Sequence, residues 1–366
     1  MSTIGDSGAP SQHTINYDAL LSSTLFAFRD QMVDNIFKDS AFLAAMREFG
    51  GVTKQDGGER IQQPLMFGTN KTVKSMAGYE VIDTTPQEGM TSTFTEWREL
   101  AGTISISRKE ERQNSGESRI INLLEQKTSQ AEMSMREELN KQLIQGTVSG
   151  TEFVPGNSAK DIDPLFYFLR KDNTANPVSG GNVGNIAASN SWWRHRTAVA
   201  NSGSADTGNA FALNVTTYAG LKVAVRRMMN FCARGSGGAP NLLVADQVAY
   251  ETYENALDVN IRFQNTTLGD LGFDTLKVRG AEMIWDEAVP DLDTGTVAIT
   301  TGNVSFLNTK FYKLIIDSET DIVTTPFVTP ENQSAKTAKI LLMANTTVTN
   351  LRKLGVLYAI SQSIVA

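Results

Sequence analysis

The sequence predicts an α+β protein, and three observations carry that class. Strand-patterned runs, Ile61–Phe67 and Phe94–Ser107, bracket a long polar stretch. Helical periodicity follows over Gly116–Gly146. From Tyr218 onward, helix-spaced segments and short continuous apolar runs alternate, and the chain ends in buried-strand patterns.

The chain opens on a polar tail, MSTIGDSGAPSQHT, and passes into an apolar arm. Leu21, Leu25, Phe28, Met32 and Ile36 fall at helical spacing, and Phe26, Val33 and Phe37 widen the stripe. That stripe fits either a core helix or an arm laid on a neighbouring subunit. Gly50-Gly51 and Gly57-Gly58 then break the pattern. Between its two strand-like ends, the stretch Arg60–Ser107 holds little apolar material. A two-stranded ribbon with no packing surface is marginal in water. A neighbour must order it, and a second copy of the chain is the neighbour expected.

Ser115-Gly116-Glu117 suits a helix start, with the acid where the macrodipole favours it. Ile120, Leu124, Thr128, Ala131, Met135, Leu139 and Leu143 follow one face, Ile121, Leu123 and Ile144 broaden it, and Gly146 is placed to end it. At 1.5 Å per residue the helix runs about 45 Å. Three sustained a/d heptads are missing, so the helix is expected to lie across a sheet. Thr147–Asn209 is rich in Gly, Asn and Ser and reads as loops. Within it, SWWRHR (Ser191–Arg196) offers packing anchors or, less in keeping with an acidic chain, a stacking platform for bases.

Tyr218, Leu221, Val225, Met228 and Cys232 mark a second amphipathic helix, ended by Arg234 and the glycines of GSGG. Asn241–Ala245 reads as a buried strand and Gln247–Leu257 as a short helix. Further strands are predicted at Thr275–Val278, Ala281–Trp285, Val297–Thr300 and Lys310–Ile316. In the tail, Ala338–Ala344 and Val348–Ile360 include the run ILLMA, which suits a strand buried on both faces.

Composition narrows the function classes. With 366 residues, 40% of them hydrophobic and 20% charged, the chain has ample material for a packed core. No apolar run approaches the roughly 20 residues that span a bilayer, and no secretory signal pattern opens the sequence. A single cysteine, Cys232, excludes an internal disulfide and fits a reducing compartment. The net charge of −7 argues against tight nucleic-acid binding, although it suits a wall that encloses nucleic acid without adhering to it.

Catalytic constellations are missing. The two histidines, His13 and His195, stand far apart, and no HExxH, Cys/His cluster, calcium loop or GxSxG elbow occurs. Gly235, Gly237 and Gly238 are not followed by Lys-Ser or Lys-Thr, so they read as a helix stop rather than a P-loop. Glu110-Glu111 and Glu137-Glu138 are adjacent in sequence and point apart on a helix. No enzymatic activity, cofactor or metal is expected.

Three blocks carry a family resemblance: GGERIQQPLMFGTN, then GYEVIDTTPQEGMTSTFTEWRELAGTISISRKEERQNSG with IINLLEQKTSQAEMSMREEL, then RRMMNFCARGSGGAPNLLVADQVAYETY. In this order they resemble the major capsid protein of tailed double-stranded DNA bacteriophages, the Hong Kong ninety-seven-type fold. The likeness runs from about Tyr17 onward and is weakest over Thr147–Asn209.

The resemblance implies residues 1–50 as an N-terminal arm, 51–110 as the extended loop, and 111–213 as a peripheral domain with its spine helix at 116–146. It implies 214–330 as most of an axial domain, and 331–366 as strands returning to the peripheral domain. Phe67, Lys71, Lys74, Tyr79, Trp97, Arg98, Leu25 and Phe28 are the assembly contacts it suggests. Expected partners are further copies in hexamers and pentamers, a portal protein at one vertex, decoration proteins, and packaged DNA held by non-specific contact. No charged scaffolding segment precedes the arm, so a separate scaffolding protein is expected. The protein would be made in the bacterial cytoplasm and reside in the virion. A nanocompartment shell around an enzyme cargo shares the fold and is the alternative; a soluble α/β enzyme is a distant third. Some relatives also weld a loop lysine to a neighbour's asparagine. Lys71 or Lys74 with Asn345 or Asn350 matches that pattern too loosely to transfer.

Overall fold

The computed structural model describes residues 40–113, 123–150, 152–174, 182–201, 211–213, 215–257, 276–296, 300–331 and 333–364. The apolar arm over Leu21–Phe37, the expected helix start at Gly116 and most of the predicted strand Val297–Thr300 lie outside these residues.

Ser40 opens α1 (Ala41–Glu48) by accepting the Leu43 amide on its Oγ, and Gly50 closes it at φ +66°. β1 (Val52–Gln55) follows, then the ribbon strands β2 (Ile61–Met66) and β3 (Met90–Thr95), and the long β4 (Arg98–Ser107). α2 (Arg108–Gln113) and the long helix α3 (Leu123–Ile144) come next. Gly146 ends α3 at φ +64°, its amide bonded to the Lys141 carbonyl. A Cβ there would lie 2.6 Å from the Val154 carbonyl oxygen, so glycine is required twice over.

A small hairpin, β5 (Thr147–Ser149) with β6 (Glu152–Val154), leads to the single turn α4 (Leu165–Phe168) and to β7 (Arg196–Val199) and β8 (Phe211–Ala212). α5 (Tyr218–Ala233), β9 (Leu242–Ala245) and α6 (Gln247–Ala256) match the periodicity closely. β10 (Leu276–Val278), β11 (Ala281–Trp285), β12 (Gly302–Leu307), β13 (Tyr312–Asp317), β14 (Val323–Thr324), β15 (Ala335–Val348) and β16 (Gly355–Ile360) complete the order.

Two sheets organise these strands. In the five-stranded sheet β15 is central: β4 pairs with it antiparallel from Ser107↔Ala335 to Arg98↔Ala344, while β13 and β14 pair along its other edge. β1 adds a parallel strand outside β13. α3 packs on β4 and β15 and buries Met135, Leu139, Leu143 and Ile144 with Ile104, Ile340 and Leu342. The seven-stranded sheet has the order β10-β11-β9-β12-β16-β7-β8. Alternate residues of β9 serve its two faces: Leu242 and Val244 join the core shared with α3, and Leu243 and Ala245 join a second core under α5 and α6.

The C-terminal strands divide between the two sheets. Residues 331–366 do not return to the long helix as one block. β15 lies beneath α3, but β16 inserts between β12 and β7 in the other sheet. The redirection occurs at Leu351–Lys353, where the Asn350 side chain accepts the Arg352 amide. Conversely β13, from within 214–330, belongs beside β15. The tail strands predicted at Ala338–Ala344 and from Val348 merge at their junction, since β15 runs unbroken to Val348.

Candidate assembly surface

The ribbon is rooted by its own subunit and bare at its tip. At the root, Ile61, Leu65 and Thr93 are buried, and Gln63 Nε2 donates to Thr347 Oγ1 of β15 at 3.2 Å. Thr93 Oγ1 donates to the Gly184 carbonyl at 3.0 Å, Trp193 Nε1 to that of Val183 at 2.9 Å, and the Phe67 ring stacks on Trp192 at 4.8 Å. A loop far along the chain thus clasps the ribbon. The paired tryptophans of SWWRHR are packing anchors, Trp193 and His195 being buried.

The step from ribbon to sheet is pinned by Asn345. Its Nδ2 donates to the Glu96 carbonyl at 2.7 Å and to Asp163 Oδ2 at 3.2 Å, and its Oδ1 accepts the amides of Asp163 and Thr346. Burial pushes the Asp163 carboxyl up to about 6 against the pull of Arg98 and the Asn345 bond. Asn345 is wholly buried and fully engaged, so it is no acceptor for a lysine of another chain.

Beyond Met66 and Met90 the strands end; the Phe67 and Gly68 amides still reach the Gly89 carbonyl, and residues 69–88 carry local turns such as Thr72 on Asn70 and Thr85 on Asp83. Of the fourteen large apolar side chains exposed among the described residues, eight lie on this ribbon: Met66, Phe67, Val73, Met76, Tyr79, Val81, Ile82 and Met90. The stretch is therefore more apolar at its tip than its polar sequence suggests. Tyr79, Lys71 and Lys74 are exposed on the tip. Trp97 donates to the Gly58 carbonyl at 2.9 Å, and Arg98 faces Asp163, so both serve the root. Leu25 and Phe28 lie outside the described residues.

The titratable groups among the described residues do not converge on a reaction centre. Among the described residues no group of His, Cys, Asp and Glu could hold a metal. Burial, aided by Arg170, pushes His195 down to about 3, so it stays neutral, with Nε2 2.7 Å from the Arg170 carbonyl oxygen. Burial pushes the Cys232 thiol up to about 12. Asp246, raised by burial to about 7, caps α6 through Ala249 and holds the Asn303 amide.

No family model and no curated protein matches the chain. Solved structures do. The cyanophage A-1(L) capsid aligns at a TM-score of 0.58 and 12% identity, covering 92% of this chain and 97% of that one. The capsid of the native GTA particle aligns at 0.54 and 9%, covering 97% and 100%. The chain has the Hong Kong ninety-seven-type capsid fold. This capsid fold also extends to the holo-SrpI encapsulin of Synechococcus elongatus PCC 7942, at a TM-score of 0.51 and 9% identity over 96% of this chain and 97% of that one. Within it, the exposed ribbon, the long α3 and the two sheets are the elements described above.

Proposed function

We propose that this chain is a structural protein that assembles as hexamers and pentamers into an icosahedral shell enclosing double-stranded phage DNA. The observation that carries the reading is the ribbon: firmly rooted, yet carrying eight exposed apolar side chains, of which Val73, Met76, Tyr79, Val81 and Ile82 lie on its tip. Such a surface is costly in water and is satisfied when a neighbouring copy covers it. Symmetry then repeats the contact around each ring. In this reading Lys71, Lys74 and Tyr79 meet a neighbour, Phe67, Trp97 and Arg98 set the ribbon's direction, and the arm with Leu25 and Phe28 embraces another copy. A separate scaffolding protein guides closure, a portal occupies one vertex, and decoration proteins have the outer surface available. The protein is made in the host cytoplasm, ends in the virion and catalyses nothing.

The encapsulin likeness keeps a second reading in play, a nanocompartment shell around a protein cargo. Electron microscopy of the purified protein, co-expressed with its neighbouring genes, tests both. Closed shells filled with DNA and bearing a unique vertex support the phage reading. Closed shells packed with an enzyme support the compartment, and monomers alone overturn shell formation.

A further inference from the structure

The glycines after α5 do more than stop a helix. Lys353 is buried, and its Nζ donates to the carbonyls of Ala233, Arg234, Gly235 and Gly238 at 3.1 to 3.4 Å. Asn308 Nδ2 takes those of Gly237 and Ala239 at 3.3 and 3.1 Å. Six carbonyls therefore turn inward around two side chains. The described peptide bonds are all trans, and in a trans peptide the following N–H points opposite to the C=O. The helix reaches Ala233 and a turn spans Ser236–Gly237, so the Arg234 and Gly238 amides point back at the chain, while those of Gly235, Ser236 and Ala239 find no acceptor among the described residues. Gly235, Gly237 and Gly238 sit at φ +88°, +106° and +84°, which the inward turn of the carbonyls demands. Residues 234–239 are exposed.

Cations surround this row of donors. The Arg196 and Arg234 guanidinium groups lie over the Phe231 ring at 4.2 and 5.1 Å from its centroid. The charges felt by Arg196 are those of Arg352 and Arg234, with the Cys232 thiol. Those felt by Lys353 are Arg196 and Arg352, again with Cys232. No carboxylate of the described residues pairs with Arg196, Arg234 or Arg352. In a chain of net charge −7, three arginines without a carboxylate partner among the described residues, beside loop amides that lack an acceptor, favour an anion.

We propose that the loop Arg234–Ala239, with Arg196 and Arg352, binds the backbone phosphates of a nucleic acid. The loop is exposed, so a lone ion would exchange freely with water, whereas a polyanion can engage several cations at once. Guanidinium forks and backbone amides suit phosphate oxygens. This deepens the shell reading by placing its non-specific DNA contact, and it rests on that reading only for the identity of the enclosed polymer.

The test measures fluorescence anisotropy of a labelled 20-base-pair duplex with the full-length, unassembled chain across a salt series. The variants are R234Q/R352Q and, as a charge-matched control, K109Q/K160Q, whose lysines are exposed and remote in sequence. Expected is weak binding by the native chain and by the control. R234Q/R352Q should bind at least fivefold more weakly, with the slope of log K against log salt smaller by about two. Equal binding by both double variants, or none by the native chain, overturns the site. Displacement of the duplex by polyglutamate at matched charge overturns nucleic acid as its ligand and points to carboxylates of another copy. Because no shell need form, a chain that binds DNA through this loop but never assembles would sink the shell reading alone.

Discussion

Asp246 sits fully buried, holding the Ala249 amide at 2.7 Å and the Asn303 amide at 2.9 Å, yet burial lifts its carboxyl to about 7. The folded state therefore keeps a proton that the unfolded chain releases near pH 4. Between those values the native state binds more protons, so its stability is fully present below pH 4 and lost as pH rises through 7. His195, depressed to about 3, acts in the opposite sense, because the unfolded chain gains a proton below about 6.5 that the buried ring refuses. The two effects separate in a variant. D246N is expected to lose one cap bond at all pH values, about 1 kcal/mol, but to gain on the native protein steadily from pH 4 to 7. Urea unfolding of both proteins across that range measures the difference; a flat one rejects the burial argument. N345A strands the Asp163 and Thr346 amides together with a carboxylate, and is expected to cost about 3 kcal/mol in the same assay.

Among the elements, the ribbon invites the sharpest experiment. The Cα atoms of Gly68 and Gly89 lie close together: a Cβ on Gly68 would be 3.1 Å from the Gly89 Cα. Replacing Thr69–Glu88 by Asn-Gly should close the hairpin without strain. The shortened subunit is expected to melt within a few degrees of the native one and to form no shells in sedimentation or microscopy. Insolubility would show instead that the tip belongs to the subunit's own core. Much of this architecture was legible beforehand. α5 and β9 followed from helical spacing over Tyr218–Cys232 and from the unbroken run NLLVA, since both bury faces that periodicity exposes. β12 was not, because Gly302, Asn303 and Ser305 interrupt its apolar pattern, and burial there rests on contacts such as Asn303 Nδ2 on the Pro290 carbonyl. Nor was the clasp between Thr93 and Gly184, or the inward turn around Lys353, readable: each joins residues about a hundred positions apart, where no local rule reaches. The ribbon's exposed Val73, Val81 and Ile82 were in plain sight and were diluted by the polar residues around them.

For the whole molecule, like-charged copies of net charge −7 must approach closely in any shell. Repulsion between exposed charges is screened beyond about 10 Å at 0.1 M salt, while burial of the ribbon's apolar tip is not weakened by salt. Raising sodium chloride from about 50 to 500 mM is therefore expected to lower the protein concentration at which shells form, read by light scattering. A higher threshold would mean that ion pairs, not apolar contacts, drive association. The ribbon also has a mechanical side. Its strand β3 runs through Glu96 and Trp97 straight into β4, which is registered against β15 over ten residue pairs. A tug on the tip from an adjoining copy loads that seam lengthwise, across hydrogen bonds that stand perpendicular to the pull. All of them share the force together instead of parting singly like a zipper. A container swollen by what it holds would thus transmit its tension from copy to copy through the stiffest joint in each subunit.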